Sequence, residues 1–176
     1  VIHGLNGEQD IRNMGGLKKY MKSTHIVFLI GVLAIIALPP FAGFFSKDNI
    51  LTAAFIKSPV LWALALISGL LTVFYMLRLY FVVFQGKERM DTKVASHIHE
   101  SPMVMLFPLF VLAILSVFGG LINIPELFHG TKWLENFITP IVSMSDVHLD
   151  HSTEWMLLGI SLVAILVVGF IAYHKY

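Results

Sequence analysis

Long apolar runs without charged residues are the feature that most restricts the fold of this chain. Four of them contain no Lys, Arg, Asp or Glu over 20 residues or more, and the last begins directly after Glu154. About 20 apolar residues cross the hydrocarbon core, and in lipid only helices and closed barrels satisfy their own backbone. The sequence therefore predicts an all-α integral membrane protein with about four transmembrane spans. These spans are predicted within Thr24–Ile56, Val60–Phe84, Met103–Ile124 and Glu154–Tyr173.

The first span is too long for one straight helix and contains a break. Its 33 residues would extend about 50 Å as a helix, whereas the hydrocarbon core is ~30 Å thick. Pro39 and Pro40 interrupt a regular helix, and Gly43 gives freedom for a turn. We predict two half-helices, with Ser46 as the N-cap of the second and Asp48 in its first turn. The predicted parts are Thr24–Leu38, the linker Pro39–Phe45 and Ser46–Ile56.

The distribution of Lys and Arg predicts how the chain is oriented. Eight lie before the first span, between the second and third, or after the fourth, and two lie in the opposite connections. By the positive-inside rule, both ends face the cytoplasm or the mitochondrial matrix.

The predicted segments are 1–23, the end of a preceding helix and a cytoplasmic loop; 24–57, the broken transmembrane helix; 58–85, a transmembrane helix; 86–102, a cytoplasmic loop; 103–124, a transmembrane helix; 125–153, an outer loop with an amphipathic interfacial helix; and 154–174, a transmembrane helix.

Lys47 is the main candidate for chemistry, because it lies beside the break. A lysine inside a membrane protein exchanges protons near neutral pH and responds to neighbouring charges. The plainer interpretation is a lysine at the end of a simple helix that snorkels to the interface. Asp48 is a partner of Lys47, a helix cap or an interfacial residue, and capping is the favoured role.

Asp48 and His3 are further candidates for a proton path, and Arg78 is a candidate for an ion pair. His3 lies at the chain start, where an earlier helix is expected to end. Arg78 follows 20 uncharged positions, but it lies only ~9 Å from the end of its helix, within snorkelling range. We favour snorkelling for Arg78, with an ion pair as the alternative.

Composition excludes several other classes of function. The net charge of +1 offers no field for nucleic acid, and no glycine-rich phosphate loop is present. The absence of cysteine excludes cysteine-ligated iron–sulfur clusters and disulfides, and the eight histidines lack zinc-ligand spacing. The chain does not begin with Met, so we expect an internal fragment of a longer polytopic protein.

Several motifs resemble one family of membrane proteins, the large antiporter-like membrane subunit of respiratory complex I. The resemblance is strong from His3 to about Gly120 and looser afterwards. Its motifs are typical of the wider antiporter-like family. They are His3-Gly4, the segment Glu8–Leu17 (EQDIRNMGGL), the segment Ile36–Asp48 (IALPPFAGFFSKD), the segment Leu71–Arg78 (LTVFYMLR) and His99–Pro102 (HESP).

The resemblance implies a subunit at the far end of the membrane arm, built from inverted repeats with broken helices. It implies that Lys47 matches a terminal proton-relay lysine, that this chain holds no cofactor, and that flavin, iron–sulfur clusters and quinone belong to partner subunits. The expected partners are other membrane subunits of the complex, especially the neighbouring antiporter-like subunit, and the lipid of a bacterial or mitochondrial inner membrane. Quinone reduction would then drive proton transfer. The alternatives are the large subunit of a multisubunit cation/proton antiporter and a structural subunit with an inert lysine; sodium stays open as the ion.

Overall fold

All regular secondary structure in the described part of the chain is helical. The structure, a computed structural model, describes residues 1–90, 98–122, 124, 133–138 and 149–176. Its α-helices are α1 (Lys22–Ile35), α2 (Ala42–Lys57), α3 (Pro59–Phe84), α4 (Met103–Phe118), α5 (Trp133–Ile138) and α6 (His151–Lys175). Short 3-10 turns lie at His3–Leu5, Ile11–Asn13, Leu17–Lys19 and Gly119–Ile122.

Three of these helices are long and apolar enough to cross a membrane. They are α3, α4 with its 3-10 extension to Ile122, and α6. Helix α1 is apolar but shorter, at 14 residues. This architecture confirms the predicted class, an all-α integral membrane protein.

The predicted break in the first span is present, but it lies earlier than predicted. Helix α1 ends at Ile35 and α2 begins at Ala42, directly after an extended Phe41. Two predictions about the second half-helix are therefore wrong: Ser46 is not its N-cap, and Asp48 lies in its second turn. The Ser46 hydroxyl instead donates to the carbonyl of Gly43 at 3.3 Å. The reason is that nothing after Pro40 prevents a helix, so it starts as soon as the proline constraint ends.

Gly43 was predicted to give the chain freedom for a turn, but in the structure it has a packing role. It is part of α2, where it lies against the end of α1. A Cβ atom at this position would overlap with the carbonyl oxygen of Ala34. Gly43 therefore allows the two half-helices to approach each other, rather than allowing the chain to turn.

The polar connection before α1 is folded back against the helices. Leu5, Met14 and Leu17 are buried in one apolar cluster with Val32 of α1 and Val73 of α3. This cluster packs α1, α3 and the preceding connection against one another. On their other sides, α1 contacts α4, and α3 contacts both α2 and α6.

Part of the predicted interfacial helix is seen as α5. In it, the rings of Trp133 and Phe137 are stacked with their centroids 6.0 Å apart, and both side chains are exposed. Within the predicted outer loop at 125–153, the structure describes residues 133–138, which form α5, and residues 149–153, which lead into α6. The other positions of this loop lie outside the described residues.

Replacing Gly43 with Ala is expected to destabilise the protein by about 1–3 kcal/mol, the range for overpacking a close contact. The added methyl group forces α1 and α2 apart at the break. Thermal unfolding of the intact protein in detergent measures the loss. Gly159→Ala in α6 is the matched control, because a Cβ there meets no atom within 4 Å. Equal melting temperatures for the two variants would contradict the close approach.

Candidate functional site

The last turn of α1 explains why a charged side chain is found at the break. The final carbonyl groups of a helix have no partner within it, and at membrane depth an unpaired carbonyl is costly. In α1, the carbonyls of Val32, Leu33 and Ala34 accept backbone hydrogen bonds, and the chain leaves the helix in a Schellman motif. The carbonyl of Ile35 accepts none of these backbone bonds. The bonds run from Ile36 N to Val32 O (3.0 Å), from Ala37 N to Ala34 O (3.2 Å) and from Leu38 N to Leu33 O (3.2 Å).

Lys47 supplies the missing partner. Its Nζ donates a hydrogen bond of 2.6 Å to the carbonyl oxygen of Ile35. The ammonium group thus lies at the negative end of the α1 dipole, where a cation is stabilised. Lys47 is in the second turn of α2, so the positive end of that helix opposes it only weakly. Its side chain is half-buried at the break.

Ala37 carries the backbone strain of this arrangement. It has φ of +63° and is only 2% exposed. Glycine usually occupies this position of a Schellman motif, because a Cβ atom makes the left-handed conformation cost ~1–2 kcal/mol. The strained residue is one step beyond the helix end that Lys47 caps. Strain of this kind is characteristic of functional sites held by their surroundings.

A cavity of about 240 Å³ opens beside Lys47 and Asp48. It lies among α2, α3 and α6, and its walls are mostly apolar. Three hydroxyl groups line it, those of Ser68, Thr72 and Ser161. Thr72 and Ser161 donate to carbonyls of their own helices, so their oxygens still offer acceptor sites. The cavity has the volume and the polar groups to hold several water molecules.

Asp48 lies in the same cavity without being an ion-pair partner of Lys47. No salt bridge or hydrogen bond within the described ranges includes the Asp48 carboxylate. Its principal electrostatic neighbour is Glu154 of α6. The sequence analysis treated Glu154 only as the start of a span. Nothing in the spacing of the sequence links these two carboxylates, which are 106 positions apart.

The opposite end of α1 is capped by a second distant side chain, that of Glu100. Its carboxylate accepts hydrogen bonds from Ser23 N at 2.8 Å and Thr24 N at 3.3 Å, and from the Thr24 hydroxyl. Partial burial opposes the charged form of Glu100. The hydrogen bonds from Thr24, Ser23 and Ser101 outweigh that effect, so the pKa of Glu100 is lowered. A carboxylate at a helix N-terminus also complements the dipole.

A buried pair follows one residue later in α1. His25 Nε2 lies 2.8 Å from the hydroxyl of Tyr80, and the Gln85 amide donates to that hydroxyl at 3.2 Å. His25 and Tyr80 are 8% and 6% exposed. Tyr80 belongs to the same apolar cluster as Val32 and Val73. The sequence analysis did not single out this contact, because it joins residues 55 positions apart.

The two weaker candidates lie elsewhere. His3 packs edge-on against His99, with ring centroids 5.7 Å apart, and is not part of the Lys47 cavity. The guanidinium of Arg78 lies over the ring of Tyr176 at 5.6 Å, and none of the salt bridges in the described ranges includes it. The alternative of an ion pair for Arg78 is therefore not supported by these residues. The structure brings together Lys47, Asp48 and the break, and leaves His3 and Arg78 apart.

Two family models match the chain and together extend over its whole length. Residues 1–74 match the transmembrane family of NADH:quinone oxidoreductase and Mrp antiporter subunits. Residues 75–176, more than half of the chain, match the family described as the C-terminal transmembrane part of an NADH dehydrogenase subunit of complex I. The chain belongs to the antiporter-like membrane subunits of complex I.

Individual relatives agree with this family. The chain is 38% identical over 200 residues to NAD(P)H-quinone oxidoreductase chain 5 of Picosynechococcus, with 96% of the chain and 29% of that protein covered. It is 37% identical over 181 residues to NADH-quinone oxidoreductase subunit L of Mycobacterium tuberculosis, with 100% and 27% covered. It is 43% identical over 123 residues to subunit L of Rickettsia bellii, with 70% and 19% covered. The chain thus spans less than a third of the length of these relatives.

Neutralising Glu100 is expected to weaken the N-terminal end of α1 in this complex I subunit. Glu100→Gln removes a charged helix cap, which is worth ~1 kcal/mol. Because the pKa of Glu100 is lowered in the folded protein, its charge stabilises the fold above the ordinary carboxyl pKa of ~4.3. That contribution is lost as the pH falls from there through the folded-state pKa.

Melting temperatures of the intact protein at a series of pH values measure this effect. The difference between the original protein and Glu100→Gln is expected to be largest near neutral pH and to close on acidification. Glu88→Gln is the control, since Glu88 is an exposed partner of Lys19 in the connection before α1. A difference for Glu100→Gln that stays constant with pH would contradict the charged cap.

Proposed function

We propose that this chain is part of a proton-translocating membrane subunit of an NADH:quinone oxidoreductase, and that Lys47 relays protons within it. One observation carries the proposal. The Lys47 amine is held by the Ile35 carbonyl at the break between α1 and α2, and it faces a cavity that also contains a carboxylate and hydroxyl groups. The family supports complex I as the setting, because the match at residues 75–176 is to a complex I family.

The surroundings of Lys47 suit a group that gains and loses a proton. A carboxylate bound directly to the amine would fix it in the charged form, and none is bound to it in the described residues. The Ile35 carbonyl accepts a hydrogen bond from either an ammonium or a neutral amine. Water in the cavity supplies a route by which protons reach and leave the nitrogen atom.

The proposal assigns the remaining parts of the reaction to other subunits. Flavin, iron–sulfur clusters and quinone are held by partners, and this chain has no redox chemistry of its own. Charge changes reach it through the neighbouring antiporter-like subunit. Both ends of the chain lie on the cytoplasmic or matrix side of the inner membrane, and Lys47 releases its proton toward the outer side through Asp48.

Substitution of Lys47 in the intact complex tests the relay. A positioned proton-transfer group contributes ~10²–10⁴-fold to the rate of its step, so Lys47→Ala is expected to abolish most proton transfer through this subunit. Lys47→Arg keeps the charge but does not release a proton, and is expected to be similarly impaired. The measurement is the number of protons pumped per electron in sealed membrane vesicles supplied with NADH and quinone.

The control is Lys57→Ala, which removes an exposed lysine from the last turn of the same helix. It is expected to pump normally. Electron flux with an uncoupler present, together with assembly on native gels, separates a lost relay from a misassembled complex. Normal pumping by an assembled Lys47→Ala variant would leave Lys47 with a structural role only.

A second candidate follows from the match at residues 1–74, whose family also includes Mrp antiporters. In that case, a cation gradient would drive proton movement without any redox reaction. The same vesicles test this function when a sodium gradient is imposed in the absence of NADH. Proton movement that depends on both sodium and Lys47 would favour the antiporter.

A further inference from the structure

We propose that Glu154 is the next proton acceptor after Asp48 and that His151 connects it to the outer water phase. This proposal rests on the function proposed above, since it extends the path that begins at Lys47. It adds two residues from the beginning of α6 to a site already lined by α2, α3 and the middle of α6. Neither was a candidate in the sequence analysis.

The packing of α2 against α6 places the two carboxylates at the same level. Phe44 of α2 packs against Leu158 and Leu162 of α6. Asp48 is one turn after Phe44, and Glu154 is one turn before Leu158. In antiparallel helices these two steps run in the same direction, so Asp48 and Glu154 face each other on the outer side of the Phe44 contact. Their electrostatic interaction agrees with this arrangement.

Lys47, Asp48 and Glu154 are each partly buried, and the exposed end of the proposed path is His151. Lys47 and Asp48 are half-buried beside the cavity. The Glu154 side chain is 23% exposed, and that of His151 is 75% exposed. His151 Nδ1 lies 4.0 Å from a carboxylate oxygen of Glu154, one turn along the same helix face. The groups thus lead from the break in the first span to water at the beginning of α6.

Two facing carboxylates suit the transfer of a proton. Their negative charges repel each other, and a proton on either one relieves the repulsion. The ammonium of Lys47 passes a proton to the Asp48 carboxylate, which leaves a neutral amine and a carboxylic acid. The proton then moves to the Glu154 carboxylate, and Asp48 regains its charge. Glu154 finally releases it through His151 or water and regains its charge, and Lys47 remains a neutral amine until it takes up the next proton from the opposite side of the path.

A structural explanation competes with this one. Glu154 lies in the first turn of α6, where a carboxylate stabilises the helix dipole. That role affects stability, and it has no effect on the number of protons pumped per electron. The two explanations therefore differ in a measurable quantity.

The test uses the assembled complex in sealed vesicles, with Glu154→Gln and Glu154→Leu as alternative neutral replacements in case one of them does not assemble. The expected result is at least a 10-fold lower proton flux through this subunit, with uncoupled electron transfer retained. Glu154→Asp keeps a carboxyl group and is expected to restore a substantial part of the flux. The matched control is Asp150→Asn, which neutralises an acidic residue at the same helix end and is expected to pump normally.

A double variant tests whether the two carboxylates act in series. If they form one path, Asp48→Asn combined with Glu154→Gln pumps no less than the more impaired single variant. Normal pumping by an assembled neutral variant at Glu154, or multiplied losses in the double variant, would overturn the proposal. If Lys47→Ala is impaired while Glu154→Gln pumps normally, only the Glu154 path fails. If Lys47→Ala itself pumps normally, the proposed function fails as well.

Discussion

The capping of α1 by charges from distant parts of the chain is the interaction on which the rest of the structure depends. This half-helix of 14 residues ends inside the span, where unpaired backbone groups have no bulk water to bind. Glu100 caps its N-terminus and Lys47 caps its C-terminus. Each charge has the sign that the helix dipole stabilises at that end. A broken helix is thereby held without exposing its orphan groups.

The two caps also determine where neighbouring elements lie. Lys47 reaches the Ile35 carbonyl only if α2 starts close to the end of α1, and Gly43 permits that approach. Gly120 similarly permits a close approach, because a Cβ there would overlap with Ala42 and the ring of Phe45 at the start of α2. Glu100 joins the segment before α4 to the start of α1. The cavity beside Lys47 is a consequence of these contacts.

The sequence was sufficient to predict the class of fold and the presence of the break, whereas the relay role of Lys47 stays a prediction. Uncharged runs, the Pro39–Pro40 pair and a lysine at membrane depth are local signals with direct physical meaning. The capping role of Ser46 and the first-turn position of Asp48 were predicted wrongly, because the N-cap preference is weaker than the tendency of the chain to resume a helix soon after the prolines. The preference of Gly43 for turns likewise gave the wrong role, since its contact with Ala34 arises only when the two half-helices are packed.

The contacts that complete the site could not be predicted, because they join positions with no common periodicity. Glu100 meets Thr24 across 76 positions, and His25 meets Tyr80 across 55. Glu154 faces Asp48 only because Phe44 and Leu158 set the relative position of two helices. Periodicity indicates which face of a helix is apolar, but it does not indicate which helix packs against that face.

The hydrogen bond between Lys47 and the Ile35 carbonyl explains how one side chain can both transfer protons and stabilise the end of α1. A neutral amine retains two N–H donors, so the Ile35 carbonyl keeps its partner after Lys47 has given up a proton. The proposed transfer weakens the electrostatic part of the cap and leaves the hydrogen bond in place. The helix end therefore does not have to unfold in each cycle. A lysine at this position can change its charge while the break that it stabilises persists.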